Sequence, residues 1–253
     1  METTTEMEKE RTEDVLGFGM PAESLKTIVR LLSDSVGTDK ILITANEKAI
    51  RFAGVDRDNV SLACVYVNMK DLRNPRVSGP QAFAIEPDRL RLAFKPMKKD
   101  QLISFTRKEN KVRLNVGDFL NIFDTARDEV VFRLPEIDYP KGGLVDAKQF
   151  HEAMKTMEEV SDRIYFQTEE NRLVMSAKEN GETVVEQRLS LAKNSFDDGT
   201  KVIVNTKRLR QTVKAIKDSE EIMLRYRTNH PMKISFRSGI LTGYMLIAPM
   251  HES

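Results

Sequence analysis

Four segments of the chain repeat apolar residues at the three- and four-residue spacing of an amphipathic helix. They are residues 21–36, 88–98, 146–160 and 205–217. In each segment the apolar positions share one side and the charged positions share the other. We therefore expect four helices that bury one face against the rest of the protein.

Alternating or continuous apolar runs predict more strand than helix. Two hairpins are expected at 39–52 and 162–175, each with a polar turn at its centre. Further strands are expected at residues 60–67, 102–107, 111–116, 184–191, 222–226, 232–236 and 244–247. This mixture predicts an α+β fold with antiparallel sheets and helices on one face of them.

The pattern occurs twice along the chain. The segment DRLRLAFKPMK at 88–98 and the segment KRLRQTVKAIK at 207–217 share five identities in eleven positions, and the two hairpins align without a gap. A length of 253 residues is enough for two domains that each bury a core. We predict a tail at 1–14, a first domain at 15–117, a connector at 118–136 and a second, similar domain at 137–253.

Composition places the chain among ordinary globular proteins, with 40% hydrophobic and 31% charged residues. One cysteine, Cys64, can form neither an internal disulfide nor a cysteine zinc site, which favours a cytosolic or nuclear setting. The first 14 residues hold six acids and two bases, so they are expected to form a solvated tail and not a signal peptide. No apolar run reaches the roughly 18 residues of a membrane span.

The net charge of +1 conceals two basic segments. Residues 205–217 carry five bases and no acid, and residues 86–99 carry five bases and two acids. One helical stripe of the later segment holds Lys207, Arg210, Lys214 and Lys217. A solvated face is the ordinary explanation of such a stripe, but its repetition and its lack of acids favour a phosphate backbone bound without base readout.

Residues suited to catalysis are few. The three histidines lack metal-ligand spacing, and no glycine-rich nucleotide loop occurs. The pairs Asp56 with Asp58 and Asp197 with Asp198 could serve a metal or acid–base chemistry, but neighbouring Asn and Gly residues favour turns. We predict no catalytic residue, no metal and no cofactor, and a metal-dependent nucleic-acid enzyme at Asp56 stays an open alternative.

Four motifs, in this order and spacing, resemble the proliferating cell nuclear antigen (PCNA) sliding clamps of archaea and eukaryotes. They are GVDRDNVSLACVYV at 54–67, FRLPEID at 132–138, VSDRIYF at 160–166 and YMLIAP at 244–249. The resemblance implies two similar domains and a trimeric ring that encircles duplex DNA, with helices inside and sheets outside. Such a ring is a processivity factor of the archaeal cytosol or the eukaryotic nucleus. A subunit of a heteromeric or checkpoint-type ring is the alternative within the same fold.

The resemblance also implies partners and site residues. The partners are double-stranded DNA, further copies of the chain, and the DNA polymerase, clamp loader, ligase and flap nuclease, which bind through short hydrophobic peptides. The expected DNA-facing residues are Lys26, Arg30, Arg91, Lys95, Lys155, Lys207, Arg210, Lys214 and Lys217. The expected peptide groove comprises Val55, Val60, Phe132, Leu134, Pro135, Pro231, Leu246, Ala248 and Pro249. The expected trimer contacts are Phe119, Met157 and Val160, together with the strand 111–116.

Overall fold

The computed structural model describes residues 15–92, 94, 98, 101–125, 135, 137–139, 141–197 and 199–251. Their contacts divide the chain into two compact units. Unit 1 is drawn from Met1–Val29, Asp39–Ala53 and Tyr66–Phe132, and unit 2 from Arg30–Thr38, Gly54–Val65 and Arg133–Ser253. Unit 2 thus includes two segments from the first half of the chain, and the consecutive domain boundaries expected from the sequence stay a prediction.

The described residues form seventeen strands and four α-helices, with the helices placed between strands along the chain. The strands are β1 (Val15–Pro21), β2 (Ile41–Ala45), β3 (Ala49–Val55), β4 (Ser61–Asn68), β5 (Arg73–Val77), β6 (Gln81–Ile85), β7 (Leu102–Lys108), β8 (Lys111–Val116), β9 (Phe119–Asp124), β10 (Gly143–Val145), β11 (Arg163–Glu169), β12 (Arg172–Glu179), β13 (Glu182–Ser190), β14 (Lys201–Asn205), β15 (Glu221–Arg225), β16 (Met232–Ser238) and β17 (Leu241–Ile247). The α-helices are α1 (Ala22–Val29), α2 (Pro87–Leu92), α3 (Ala147–Glu158) and α4 (Thr206–Ala215), and a π-helix at Arg30–Val36 follows α1. This content confirms the α+β class.

Unit 1 holds a five-stranded sheet in the order β5-β1-β7-β8-β9. Phe18 of β1 lies opposite Phe105 of the antiparallel strand β7, and their rings stack at 4.8 Å between centroids. Strand β2 pairs with β3 and β6, and Phe83 of β6 approaches Phe105 to 6.3 Å. The two groups of strands in this unit therefore share one aromatic core.

Unit 2 holds a four-stranded sheet in the order β13-β12-β11-β14 and a second run of strands in the order β10-β15-β16-β17-β4. Phe166 of β11 lies 6.4 Å from Phe150 of α3 and 6.3 Å from Tyr226, which directly follows β15. Helix α3 therefore packs on the four-stranded sheet, and the aromatic contacts of Phe166 connect the helix and both groups of strands in one core.

The helices of unit 2 begin where the sequence predicts them. A side-chain oxygen of Asp146 accepts a hydrogen bond from the Gln149 amide at 2.8 Å, and Asn205 accepts one from the Arg208 amide at 3.0 Å. Such N-caps satisfy amides that have no partner inside the helix. Predicted helices 146–160 and 205–217 are thereby confirmed within about two residues at each end.

The earlier helices differ from the prediction in extent. The segment 21–36 changes from α-helix to π-helix at Arg30, and α2 ends at Leu92 although the sequence predicts a helix to 98. Part of that remainder lies outside the described residues. Leu90 of α2 and Leu209 of α4, which occupy equivalent positions in the sequence repeat, are both completely buried, so the apolar face of each copy points into its own unit.

Strand β9 was not expected, because its residues fall within the predicted connector. It pairs with β8 along its whole length, from Val116 opposite Phe119 to Lys111 opposite Asp124. Gly117, with φ of 57°, allows the two-residue turn between them. As a result β8 is an interior strand and β9 is the sheet edge, which corrects the expectation that strand 111–116 is available for subunit contacts.

No helix in the described ranges is long and apolar enough to cross a membrane.

Candidate functional site

Helix α4 separates an apolar face from a basic one. Leu209 and Val213 are fully buried, so the helix is fixed to unit 2 by its apolar stripe. Lys207 and Lys214 are exposed on the helix, and Lys217 is exposed just after its end. We call these three side chains the lysine stripe.

The lysine stripe carries charge that the protein does not neutralise. Among the described residues, none of its three ammonium groups takes part in a hydrogen bond or an ion pair. Two of the three lie at or beyond the last turn of α4, where the helix dipole favours positive charge. The stripe can therefore offer its full charge to an anionic ligand.

Arg210 differs from the lysine stripe, although the sequence places it on the same side of the helix. Its Nε lies 2.7 Å from a carboxylate oxygen of Glu158 on α3, at an angle outside hydrogen-bond geometry, and only 19% of its side chain is exposed. The charge of Arg210 is thus offset within unit 2.

Lys155 on α3 is also paired. Its Nζ lies 2.6 Å and 2.9 Å from the two carboxylate oxygens of Glu152, one turn earlier on the helix. Lys155, together with hydrogen bonding from His151, lowers the pKa of Glu152 because both favour its ionised form. The Lys155–Glu152 pair is close to neutral, so Lys155 is a weaker candidate for phosphate contact than the stripe.

The other predicted DNA-facing residues are only partly described. Lys26 of α1 approaches Glu23 at 3.5 Å, with 18% of its side chain exposed. Arg91 of α2 is exposed and lies 3.0 Å from Asp88. Arg30 is exposed at the start of the π-helix. Lys95 lies outside the described residues.

A second candidate site is formed by strand ends in unit 2. The amide of Ala248, just after β17, donates to the carbonyl oxygen of Val60, just before β4, at 2.8 Å. Val55 ends β3, and the amide of Asp56 next to it closes the turn by donating to Ser61 at 3.0 Å. These bonds bring Val55, Val60 and Ala248 to one end of the strands, and their role in a peptide groove stays a prediction.

The remaining groove residues differ in exposure. Pro231 and Pro249 are half-buried, Leu246 is nearly buried and Pro135 is exposed. Phe132 and Leu134 lie outside the described residues. Pro249 also lines a cavity of 420 Å³ over the four-stranded sheet, beside Met250, whose amide donates to Ile203 of the sheet-edge strand β14 at 2.8 Å. The C-terminal segment is thus held by backbone bonds on both sides of Pro249.

Tyr139 supports Pro231 from the side of the predicted connector. Its hydroxyl donates to the Pro231 carbonyl oxygen at 2.7 Å. Burial raises the pKa of Tyr139 to about 12, and the positive charge of Arg227 partly offsets this effect. The hydroxyl therefore remains a donor at every physiological pH. Tyr139 could not be identified from the sequence, because a tyrosine between a charged residue and a proline carries no distinctive pattern.

The paired acids near the groove have structural roles. Asp56 is buried, and its Oδ1 accepts from the amides of Val60 and Ser61 at 2.7 Å and 2.9 Å. Its Oδ2 pairs with the guanidinium of Arg208 on α4. No cluster of three or more metal-binding side chains occurs among the residues the structure describes. These contacts favour the turn role of Asp56 over the metal-binding alternative.

The residues predicted to form subunit contacts differ in their exposure. Phe119 is exposed on the edge strand β9, beside the exposed side chains of Leu120 and Ile122. Met157 is completely buried with Phe150 and Met154 on the apolar face of α3. Its assignment to a subunit contact is therefore wrong, because a side chain inside the core of its own unit cannot reach another chain. Val160 is half-buried after the end of α3.

Comparison with known proteins extends these observations to the whole chain. No protein-family model matches the sequence. The chain is 27% identical over 245 residues to the DNA polymerase sliding clamp of Pyrococcus horikoshii, covering 91% of this chain and 94% of that protein. It is 21% identical over 248 residues to the DNA polymerase sliding clamp of Thermoplasma volcanium, covering 94% of this chain and all of that protein.

Solved PCNA structures are closely similar to this chain in fold, although their sequence identity to it is low. The A. fulgidus PCNA bound to the C-terminal region of FEN-1 superposes with a TM-score of 0.86 at 18% identity, over 94% of this chain and 99% of that one. The chain has the PCNA sliding-clamp fold. PCNA from Thermococcus kodakaraensis gives a TM-score of 0.81 at 18% identity, over 93% of this chain and all of that one. The resemblance to PCNA that the sequence motifs indicate is thereby confirmed.

Within this PCNA fold, the structure identifies residues that sequence reasoning missed. Arg208 belongs to the same basic segment as the lysine stripe, yet its charge is directed to Asp56. The two residues are 152 positions apart, so no local pattern could indicate their contact. Their pairing connects the two candidate sites of unit 2.

Proposed function

We propose that this protein is a DNA polymerase sliding clamp, which encircles duplex DNA as a ring of three copies and tethers replication and repair proteins. The observation that carries this proposal is the lysine stripe: unpaired charge on a helix of a clamp-type fold. The relatives named as DNA polymerase sliding clamps match this chain over nearly its whole length.

The charge pattern suits a ring that holds DNA loosely. Lysine ammonium groups attract phosphates without reading base edges, so binding is independent of sequence. Three copies of the stripe place at least nine such groups around the duplex. Enclosure, and not affinity, then keeps the protein on DNA, and the charges need only centre the duplex while it slides.

Assembly of the ring is supported by two open sheet edges. Strand β9 is the edge of its sheet and exposes Phe119, Leu120 and Ile122, while β13 is the edge of the four-stranded sheet and exposes Val184. Exposed edges of this kind pair readily with another strand. Pairing β9 of one copy with β13 of the next is a heterologous contact that closes into a ring after three copies.

Partner proteins are expected to bind at the predicted peptide groove, at the strand ends that hold Val55, Val60 and Ala248. Its half-buried apolar residues suit a hydrophobic side-chain plug, and the C-terminal segment offers backbone groups to an extended peptide. The A. fulgidus PCNA in the matching structure is bound to the C-terminal region of FEN-1. We expect the polymerase, ligase, clamp loader and flap nuclease to present comparable peptides. In this proposal the ring tethers these proteins to DNA and catalyses no reaction itself.

Topological retention tests this proposal directly. A linear duplex is fixed to a bead at one end, incubated with the protein, capped at the open end with streptavidin, and washed in high salt. An encircling ring is retained only if the cap is added after incubation, because high salt removes contacts held by charge. Equal loss from capped and open DNA contradicts encirclement.

The mass of the purified chain tests the number of copies. A homotrimer has a mass of about 87 kDa, three times 28.9 kDa. A chain that stays monomeric alone and reaches this mass only with other clamp subunits belongs to a heteromeric or checkpoint-type ring.

A further inference from the structure

A buried ion pair connects the basic helix with the predicted peptide groove. Only 7% of the Asp56 side chain is exposed, and 28% of the Arg208 side chain. Beyond its contact with Asp56, the same Nη1 of Arg208 lies 2.9 Å from the Ser61 hydroxyl oxygen. Its Nη2 lies 3.9 Å from the exposed carboxylate of Asp58. The guanidinium thus spans the turn between β3 and β4.

The charge of Asp56 needs this partner. A carboxylate taken out of water is costly unless opposite charge and hydrogen bonds replace the lost solvation. Two backbone amides reach Oδ1, and Arg208 is the cation that reaches Oδ2. Without Arg208 the carboxylate keeps its amide donors but loses its counter-charge, so water must enter the turn to solvate it.

The position of the turn determines the position of the groove wall. Asp56 fixes the Val60 amide, and the carbonyl oxygen of Val60 accepts from Ala248 at 2.8 Å. Movement of the turn therefore shifts Val60 itself and weakens the bond that holds the C-terminal segment. Val60 and Ala248 belong to the predicted groove, whereas Arg208 belongs to α4.

We infer that Arg208 is a positioning residue for partner-peptide binding: it holds Asp56, and through the turn at 57–60 it sets the distance between Val60 and Ala248. This inference rests on the proposed function, since it assumes that the groove binds a peptide. It separates Arg208 from the lysine stripe, because its guanidinium serves the groove while the neighbouring lysines face solvent.

Peptide affinity in a set of Arg208 variants tests the inference. The probe is a fluorescently labelled synthetic peptide of the C-terminal region of FEN-1 that is bound to A. fulgidus PCNA in the matching structure, titrated with the full chain. Arg208→Met should weaken binding about tenfold, a loss typical of a broken charged hydrogen bond. Arg208→Lys keeps the positive charge near Asp56 but loses the planar guanidinium that also reaches Ser61, so its affinity should lie between those of Arg208→Met and the wild type.

The matched control is Arg237→Met. Arg237 is also an ion-paired arginine of unit 2, with its Nε 3.0 Å from Glu220, but it lies on β16 away from the turn. Its loss should leave peptide affinity unchanged. Hydrogen–deuterium exchange should rise in the peptides that contain Val60 and Ala248 in Arg208→Met and not in Arg237→Met.

Each result decides one question. Arg208→Met binding within twofold of the wild type, or no recovery in Arg208→Lys, overturns the positioning role. If Arg208→Met does not fold, the double variant Asp56→Asn with Arg208→Met avoids the unpaired charge; affinity weakened about threefold or more supports the role, and unchanged affinity rejects it. A wild-type chain that does not bind the peptide refutes the proposed groove instead, while retention on capped DNA tests encirclement independently.

Discussion

Lys214 of the lysine stripe and Lys155 on α3 are both exposed, but we expect them to differ in their contribution to DNA binding. Lys214 has no partner among the described residues, whereas Lys155 is held by both oxygens of Glu152. A phosphate contact by Lys155 must either compete with that carboxylate or keep it nearby as a repelling charge. We therefore expect Lys214→Gln to weaken DNA binding much more than Lys155→Gln.

The magnitude follows from counterion release. Each phosphate neutralised on B-DNA contributes about 0.9 to the slope of log affinity against log salt. One contact per chain in a ring of three copies makes the loss for Lys214→Gln about 2.7 in slope. Between 50 and 200 mM salt, the fall in DNA affinity should therefore be about fortyfold smaller for Lys214→Gln than for the wild type. For Lys155→Gln we expect a change in slope below about 1.

The assay is fluorescence anisotropy with a labelled 30-base-pair duplex of random sequence, measured at several KCl concentrations between these limits. Sedimentation of both variants at the same concentration controls for ring assembly, since a lost ring also loses contacts. Equal slopes for Lys214→Gln and the wild type, or a larger change for Lys155→Gln, refute the assignment of DNA contact to the unpaired lysines.

Further predictions concern the core, the sheet edge and Tyr139. Met157→Ala should lower the free energy of unfolding by about 2–5 kcal/mol in urea titrations, because it leaves a cavity in the core, and a change near zero contradicts its buried position. Ile122→Lys should leave the chain folded but shift sedimentation toward the monomer, because a charge on an exposed edge opposes strand pairing; an unchanged trimer excludes β9 from the interface. Tyr139→Phe should reduce the alkaline loss of stability. Because the pKa of Tyr139 in the folded state is raised to about 12, above its value of about 10 in the unfolded chain, its contribution is complete below pH 10 and disappears as pH rises to 12. Identical pH profiles for wild type and Tyr139→Phe in that window contradict this sign.

Periodicity in the sequence predicts the helices well because each one buries a single face. Residues 146–160 and 205–217 agree closely with α3 and α4, where an Asp and an Asn provide the N-caps. The same reasoning places Met157 in the core, since it shares the apolar face with Phe150 and Met154. The resemblance to a family assigned Met157 to an interface instead, and the helical pattern was the better guide.

Features that depend on distant residues could not be predicted from local pattern. Strand β9 was missed because its six residues lie within the predicted connector, and only its pairing with β8 identifies it as a strand. The partners of Lys155 and Arg210 decide whether each charge is free for DNA, yet the sequence shows only that they are basic. The pairing of Arg208 with Asp56 is of the same kind. Residue type predicted a basic surface, and tertiary contacts show which of its described side chains are paired with carboxylates within the chain.

In the proposed function, helix α4 serves both DNA and the peptide groove, and its geometry separates the residues assigned to each. Successive residues of an α-helix turn by about 100°, so Lys207 and Lys214, seven positions apart, point within about 20° of each other. Arg208 points about 100° away from Lys207 and reaches Asp56, while Leu209 turns further into the core. A phosphate attracted to the lysines therefore does not compete with Asp56 for the same guanidinium. This separation predicts that DNA and peptide bind this protein independently, so that saturating duplex should leave the peptide dissociation constant within about twofold of its value without DNA, or about 0.4 kcal/mol. A larger change in the peptide dissociation constant would contradict this independence and indicate that the guanidinium of Arg208 exchanges between Asp56 and a DNA phosphate.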